Sequence, residues 1–449
     1  IKGRVQAICP SKFIMSSSRI IKMTLTLVGK RRILLSAIMV MTIIIASFSL
    51  INLVPPTKYG YAQTTQENGP YVGVDMRGLH TAISQSKSQS SEMTKASFPH
   101  NYYEDSFRII SDAGMNHVRY TLYWEGYVVD PDAFINELRT VASTADKYGI
   151  NVLYDNHQFH TSSYLNPQRG NGFPFFLFEG SSTSPAYSYG SGGSAKYESA
   201  KTWWTNWWNR QVSDANGTDG WTLMSDFLKK IVNTVDGYES TLGYEILSEP
   251  QVHSSDQWTK IGAFNNFMVN ELRKFTDKTI AYSMNIPVDL KSPIGVNPEN
   301  LALMAPENKT NVVFKISLYG LPTPNSYQGD RLAVFVETSR LAQVPLYIGE
   351  WNNVKREQTI NEEGEVVFQI NPQLSDIDQA EADLIVETFK DIDAWGMAYW
   401  QWRVGTHQVE NYNLINVTLG TGEIETTKYF DILTDAYLQN FGNLSSISA

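Results

Sequence analysis

The stretch Phe134 to Tyr154, FINELRTVASTADKYGINVLY, holds two periodicities back to back. Phe134, Leu138, Val141 and Ala145 recur at i, i+4, i+7 and i+11, which puts them on one face of a helix, and Gly149 stops that helix. The run Ile150-Asn151-Val152-Leu153-Tyr154 then reads as a short strand, as does His117 to Trp124 upstream, so the local order is strand, helix, strand.

Working outward, the same alternation continues. Strands are predicted at 72–77, 117–124, 150–154, 242–247, 279–284, 311–318, 345–348 and 396–401, with helical stretches at 102–113, 134–145, 223–235, 257–275, 329–342, 376–394 and 428–440. Eight strands, each read as followed by a helical stretch, predict a parallel sheet with crossover helices closed into a (β/α)8 TIM barrel over residues 67–445. A doubly wound open sheet is the alternative that the pattern leaves. Spacing between strand ends is unusually long, 92 residues, from His157 to Glu249. Residues 159–220 are rich in Gly, Ser, Tyr and Trp, read as aperiodic, and are expected to form an aromatic-rich insertion after strand three, on the face where the strands end. Trp203, Trp204, Trp207 and Trp208 share one side of a helical turn, either as platforms on which a ligand stacks or as anchors to the barrel wall; Phe173, Phe175, Phe176 and Phe178 read as a local core.

Charge and leader bound the partners. Residues 1–66 carry nine of the 36 Lys/Arg and no Asp/Glu, which leaves 27 basic against 46 acidic residues and a formal charge of −19 on the rest. Such a body repels nucleic acid and anionic membrane surfaces, so no nucleic-acid partner is expected and a neutral ligand fits better. The apolar run Ile33 to Val54 follows Lys30-Arg31-Arg32 and precedes Gly60-Tyr61-Ala62, a small-residue cleavage candidate. Residues 1–62 therefore read as a basic leader whose segment 33–54 is a secretory signal or an uncleaved membrane anchor, with the body extracellular. The single cysteine, Cys9, lies upstream of this run, and the sequons at Asn216, Asn308, Asn416 and Asn443 fit an outward-facing surface.

Two acidic residues stand at strand ends. Glu249 follows the apolar run of GYEILSEP (243–250), and Glu350 closes PLYIGEW (345–351). The C-terminal ends of barrel strands face the active site, so both carboxylates are expected at one pocket. Either alone could be a salt-bridged strand terminus. Two in this register suit glycoside hydrolysis, which takes one acid for the leaving oxygen and one carboxylate as nucleophile or base. His157, His160 and Asp155 place no clear third metal ligand, and no metal or cofactor is expected.

The chain resembles glycoside hydrolase family 5, the cellulase-like retaining barrel enzymes. The resemblance runs through Asp75-Met76-Arg77-Gly78, Val118-Arg119-Tyr120 with Trp124, Leu153 to His157, Tyr244 to Pro250, Ser317-Leu318-Tyr319, Gly349-Glu350-Trp351 and Tyr399-Trp400. It implies Glu350 as nucleophile beside Arg119 and Tyr319, Glu249 as acid/base, Trp400 as the floor of the −1 sugar, and His157 on sugar hydroxyls. Two positions depart from the pattern: Ser248 replaces an asparagine that grips the 2-hydroxyl, and Ser317 replaces a histidine. The implied function is a monomeric, secreted or membrane-anchored retaining hydrolase of β-linked neutral polysaccharide, glucan or mannan. The alternative is a non-catalytic carbohydrate-binding barrel at the cell surface.

Overall fold

Strand β1 (Tyr71–Arg77) pairs in parallel with β2 (His117–Leu122), and the pairing continues through β3 (Asn151–Asn156), β4 (Thr241–Glu245), β5 (Thr279–Ser283), β6 (Val312–Tyr319) and β7 (Leu346–Asn352). Beyond β7 come β8 (Arg356–Ile360) and β9 (Val366–Ile370), an antiparallel pair, and then β10 (Gly396–Tyr399), which joins β7 to β1 and closes the barrel. A second small pair, β11 (Ile415–Val417) with β12 (Ile424–Thr426), follows. The closed order excludes the open doubly wound sheet. This computed structural model describes residues 70–87, 101–180, 186–191, 193–284, 290–352, 356–360, 366–370, 378–403, 413–418 and 423–444. The chain divides into residues Ile1–Tyr59 and Gly60–Ala449, and the leader with its apolar run 33–54 lies outside the described residues.

The decisive stretch forms as its pattern dictates. Helix Pro131–Tyr148 starts with Pro in its first turn and an Asp130 side chain that accepts from Ala133 N, and it ends at Gly149 with φ 65°, a left-handed cap that glycine adopts without strain. Its buried face is Phe134, Leu138, Val141, Ala142 and Ala145. Crossover helices Tyr102–Asp112, Gly220–Val235, Gln257–Leu272, Tyr327–Ala342 and Gln379–Asp391, with Lys428–Phe441 after β10, cover the strands in the same way.

Three readings need correction. The crossover from β5 to β6 holds only the short helix Pro298–Ala302 among the described residues, so not every strand is followed by a full helix. Trp124 does not end strand two; it begins the short helix Trp124–Val129. The insertion after β3 is not aperiodic throughout, because Gly193–Trp208 is helical.

Inside the barrel, alternate residues point inward, as a two-residue strand period requires. Leu153, Ala281, Val313, Tyr347 and Trp395 fill one end with apolar side chains. Two residues further along their strands the filling turns charged: Asp155 follows Leu153 and Lys315 follows Val313, both fully buried. The apolar plug therefore supports a polar layer at the C-terminal end of the strands.

Candidate active site

Arg119 stands in the middle of that layer, fully buried on β2. Its guanidinium reaches Asp75 on β1 at 2.7 Å, Asp155 on β3 at 2.9 Å, Glu245 on β4 at 2.7 Å and Glu350 on β7 at 3.0 Å. It also donates to Ser248 Oγ at 3.1 Å. A planar fork with five donors is suited to holding several carboxylates in fixed positions at once.

Glu350 owes its inward aim to a bulge. Ile316 pairs with Ile348 but Ser317 pairs with Glu350, so Gly349 is the extra residue on β7. Had β7 paired regularly through Gly349, the alternation that sends Tyr347 into the barrel and Ile348 outward would have sent Glu350 outward. Three donors meet the Glu350 carboxylate: Arg119 Nη1 at 3.0 Å and Lys315 Nζ at 2.8 Å on Oε1, and Tyr319 OH at 2.6 Å on Oε2. Burial by itself would raise its pKa, but the Lys315 and Arg119 cations outweigh burial and bring it down to about 2.

Glu249 is in the opposite condition. It lies just past β4 with φ 51°, in the left-handed region that is costly for a residue with a Cβ. The conformation is held by hydrogen bonds: Glu249 N donates to Ser283 Oγ at 3.3 Å, and Gln158 Nε2 donates to the carbonyls of Ser248 at 3.1 Å and Glu249 at 2.7 Å. Its carboxylate accepts from Ser317 Oγ at 2.7 Å. Burial first and the Glu350 charge second push its pKa up to about 8. One carboxyl thus keeps its proton at neutral pH beside another that has lost it, the division of labour that acid catalysis with a nucleophile requires.

The remaining predicted residues are joined to this pair. Ser248 and Lys315 are 3.3 Å apart, and His157 Nδ1 is 2.9 Å from Asp155 Oδ2. The His157 ring stacks on Trp400 at 5.3 Å with planes 19° apart. All seven residues singled out from the sequence, Arg119, His157, Ser248, Glu249, Tyr319, Glu350 and Trp400, therefore lie in one connected cluster. Lys315 Nζ is 2.8 Å from Glu350 Oε1 and 4.0 Å from Glu249 Oε1. Those oxygens are therefore within about 7 Å of each other, a bound that admits the retaining separation of about 5–5.5 Å.

Lys315 itself escaped the sequence reading, as did Glu245. The signal was a lysine in the otherwise apolar VVFKISLY of β6, where an unpaired ammonium would be expensive. The four tryptophans prove to be anchors. Trp203, Trp204 and Trp207 are fully buried and Trp208 nearly so; their rings stack on one another and on Phe178 and meet Phe173 and Phe264 edge to face.

Comparison with known proteins agrees with this architecture. The family model described as Cellulase (glycosyl hydrolase family 5) matches residues 74–404. An endoglycoceramidase from Cyanea nozakii is 27% identical over 173 residues, 33% of this chain and 33% of that protein, and one from Hydra vulgaris is 26% identical over 173 residues. The matches span about a third of these relatives' length. Among solved structures, endo-glycoceramidase II from Rhodococcus sp. superposes with a TM-score of 0.54 at 16% identity, covering 81% of this chain and 78% of that one. An endogalactoceramidase does so with a TM-score of 0.56 at 16% identity, covering 82% and 80%. At such identities the structural likeness speaks for the fold, whereas the family model spans most of the barrel. The chain belongs to glycosyl hydrolase family 5.

Proposed function

We propose that this glycoside hydrolase cleaves a β-linked neutral glycan by double displacement, with Glu350 as nucleophile and Glu249 as acid and then base. In the first step a Glu350 oxygen bonds to the anomeric carbon while the glycosidic C–O bond breaks, and the Glu249 proton goes to the leaving oxygen. In the second step water adds to the same carbon, gives its proton to Glu249, and Glu350 departs as a carboxylate. The observation that carries this reading is the contrast in the pair: Glu350 at about 2 with three donors, Glu249 at about 8 under a single hydroxyl. Trp400 and His157 are the proposed floor and wall of the −1 subsite, since an aromatic face covers the C–H face of a pyranose. A pocket used for binding alone has no need of a strained glutamate.

For the substrate, the sequence favours glucan or mannan. A second reading, a glycan β-linked to an apolar aglycone, is favoured by exposed aromatics on the insertion after β3: Phe159, Tyr189 and Tyr197 are 46%, 55% and 66% exposed. The endoglycoceramidase names of the curated relatives lean the same way. The leader and sequons support export of the body, free or tethered through residues 33–54.

A panel of aryl β-glycosides, soluble glucans and mannans, and glycolipids with neutral sugars tests this. Turnover that disappears in Glu350→Ala and returns in part with azide supports the mechanism, and the preferred class identifies the substrate. Binding without turnover across the panel would instead make the protein a carbohydrate-binding barrel.

A further inference from the structure

Lys315 sits between the two carboxylates and is fully buried. Its ammonium donates to Glu350 Oε1 at 2.8 Å and to Ser317 Oγ at 2.9 Å, and Ser317 donates onward to Glu249 Oε1 at 2.7 Å. One lysine therefore touches the proposed nucleophile directly and the proposed acid/base through a single hydroxyl. Space for it is built in: a Cβ at Gly349, the bulge residue beside Glu350, would lie 2.6 Å from the Cε and Cγ of the lysine. The short side chains of Ser248 and Ser317, the two positions where this chain departs from the pattern it resembles, leave the room their larger counterparts would fill.

A third acceptor waits nearby. Glu245 Oε1 is buried, has no hydrogen-bond partner among the described residues, and lies 3.8 Å from Lys315 Nζ. When Glu350 becomes a glycosyl ester its negative charge is gone, and the ammonium is left with two carboxyl groups, Glu245 at 3.8 Å, which is already paired with Arg119 at 2.7 Å, and Glu249 at 4.0 Å. A buried cation without a counter-ion is costly, so ionisation of Glu249 is favoured at the stage when it must take a proton from water.

We propose that Lys315 is the positioning residue that alternates between the two catalytic carboxylates, counter-ion of Glu350 in the free enzyme and, through Ser317, of Glu249 in the glycosyl-enzyme. The inference rests on the double-displacement reading. The charged and titratable groups around this triad are Arg119 on β2, Asp75 on β1, Asp155 and His157 at the end of β3, Glu245 on β4, Tyr319 on β6 and Arg331 on helix Tyr327–Ala342. None of them bridges Glu249 and Glu350 as Lys315 does.

The test uses the full chain, an aryl β-glycoside that it hydrolyses, and two variants, Lys315→Met and Ser317→Ala. With a phenyl glycoside, whose poor leaving group needs the acid, removal of the cation is expected to move both limbs of the kcat/KM pH profile upward by about one unit or more. Ser317→Ala is expected to move only the alkaline limb, since it breaks the contact to Glu249 and leaves that to Glu350. With a 2,4-dinitrophenyl glycoside, which needs no acid, Lys315→Met is expected to slow the second step at least about tenfold. A burst of one phenolate per enzyme would then precede a low steady state, and kcat and KM would fall together. Should Lys315→Met not fold, the alkaline limb of Ser317→Ala decides. Unmoved limbs with no burst would overturn the proposal while azide rescue of Glu350→Ala keeps the hydrolase reading intact; absence of turnover by the unmodified chain would defeat that reading itself.

Discussion

Glu249 holds its proton to about pH 8 while Glu350 gives its own up at about pH 2, and the difference lies in neighbours rather than side-chain chemistry. Two cations and a phenol surround Glu350; Glu249 has Ser317 and a nearby negative charge. The kcat/KM profile is therefore expected to stay flat through neutral pH and to fall as pH rises through about 8, where Glu249 loses the proton it must donate. Glu249→Gln should remove that alkaline limb and lower kcat/KM on phenyl glycosides by about 10²–10⁴-fold, with far less effect on 2,4-dinitrophenyl glycosides. An alkaline limb that persisted in Glu249→Gln would assign the proton to another group. Much at this scale was legible in the sequence, because Glu249 and Glu350 end strand-like runs and because the family resemblance pointed to Arg119 and Tyr319 beside them. Lys315 was not. Its inward aim depends on the register of β6 against β7, and its tolerance depends on Gly349, Ser248 and Ser317 all being small, relations that exist only once the barrel closes.

The insertion after β3 braces Glu249, the proposed acid/base. Trp208 Nε1 donates to Gln251 O at 2.8 Å, just beyond Glu249-Pro250, and Trp204 Nε1 donates to Thr161 Oγ1 at 2.9 Å. Thr161 N in turn donates to Gln158 Oε1, whose amide holds the Glu249 carbonyl. The helix Gly193–Trp208 thus leads by hydrogen bonds to the strained residue of the site. Trp207 forms the centre of the stack, against Trp203 at 5.2 Å and Phe173 at 4.9 Å. Trp207→Ala is expected to cost about 3–5 kcal/mol, since it empties a fully buried indole site, and a calorimetric scan should show a clearly lowered Tm. A Tm unchanged within error would mean that the stack is not a stabilising core. The helical spacing of these tryptophans was readable, but whether the stripe faced sugar or wall was not, since that is decided by where the insertion folds back. The three-residue strands β11 and β12 escaped for a simpler reason, as they are too short for an alternation to register.

At the scale of the molecule, eight strand patterns set against helical ones point to a parallel sheet with crossover helices, and the structure adds the cyclic order that pairs every strand on both sides and leaves no edge. Its weakest link in the sequence was the β5–β6 crossover, where a five-residue helix does the covering and no clear periodicity marks it. The four sequon asparagines, Asn216, Asn308, Asn416 and Asn443, are all exposed. Expressed with its leader in a eukaryotic secretory host, the protein is expected to lose apparent mass on treatment with peptide:N-glycosidase; no change at any sequon would leave export without this support. The proposed mechanism turns on an ionised glutamate that attacks carbon and is later displaced from it, so the glycosyl centre is inverted twice. Proton NMR of the first sugar released from a β-glycoside, recorded before mutarotation, reads this directly. The predicted product is the β anomer, and initial release of the α anomer would contradict the mechanism.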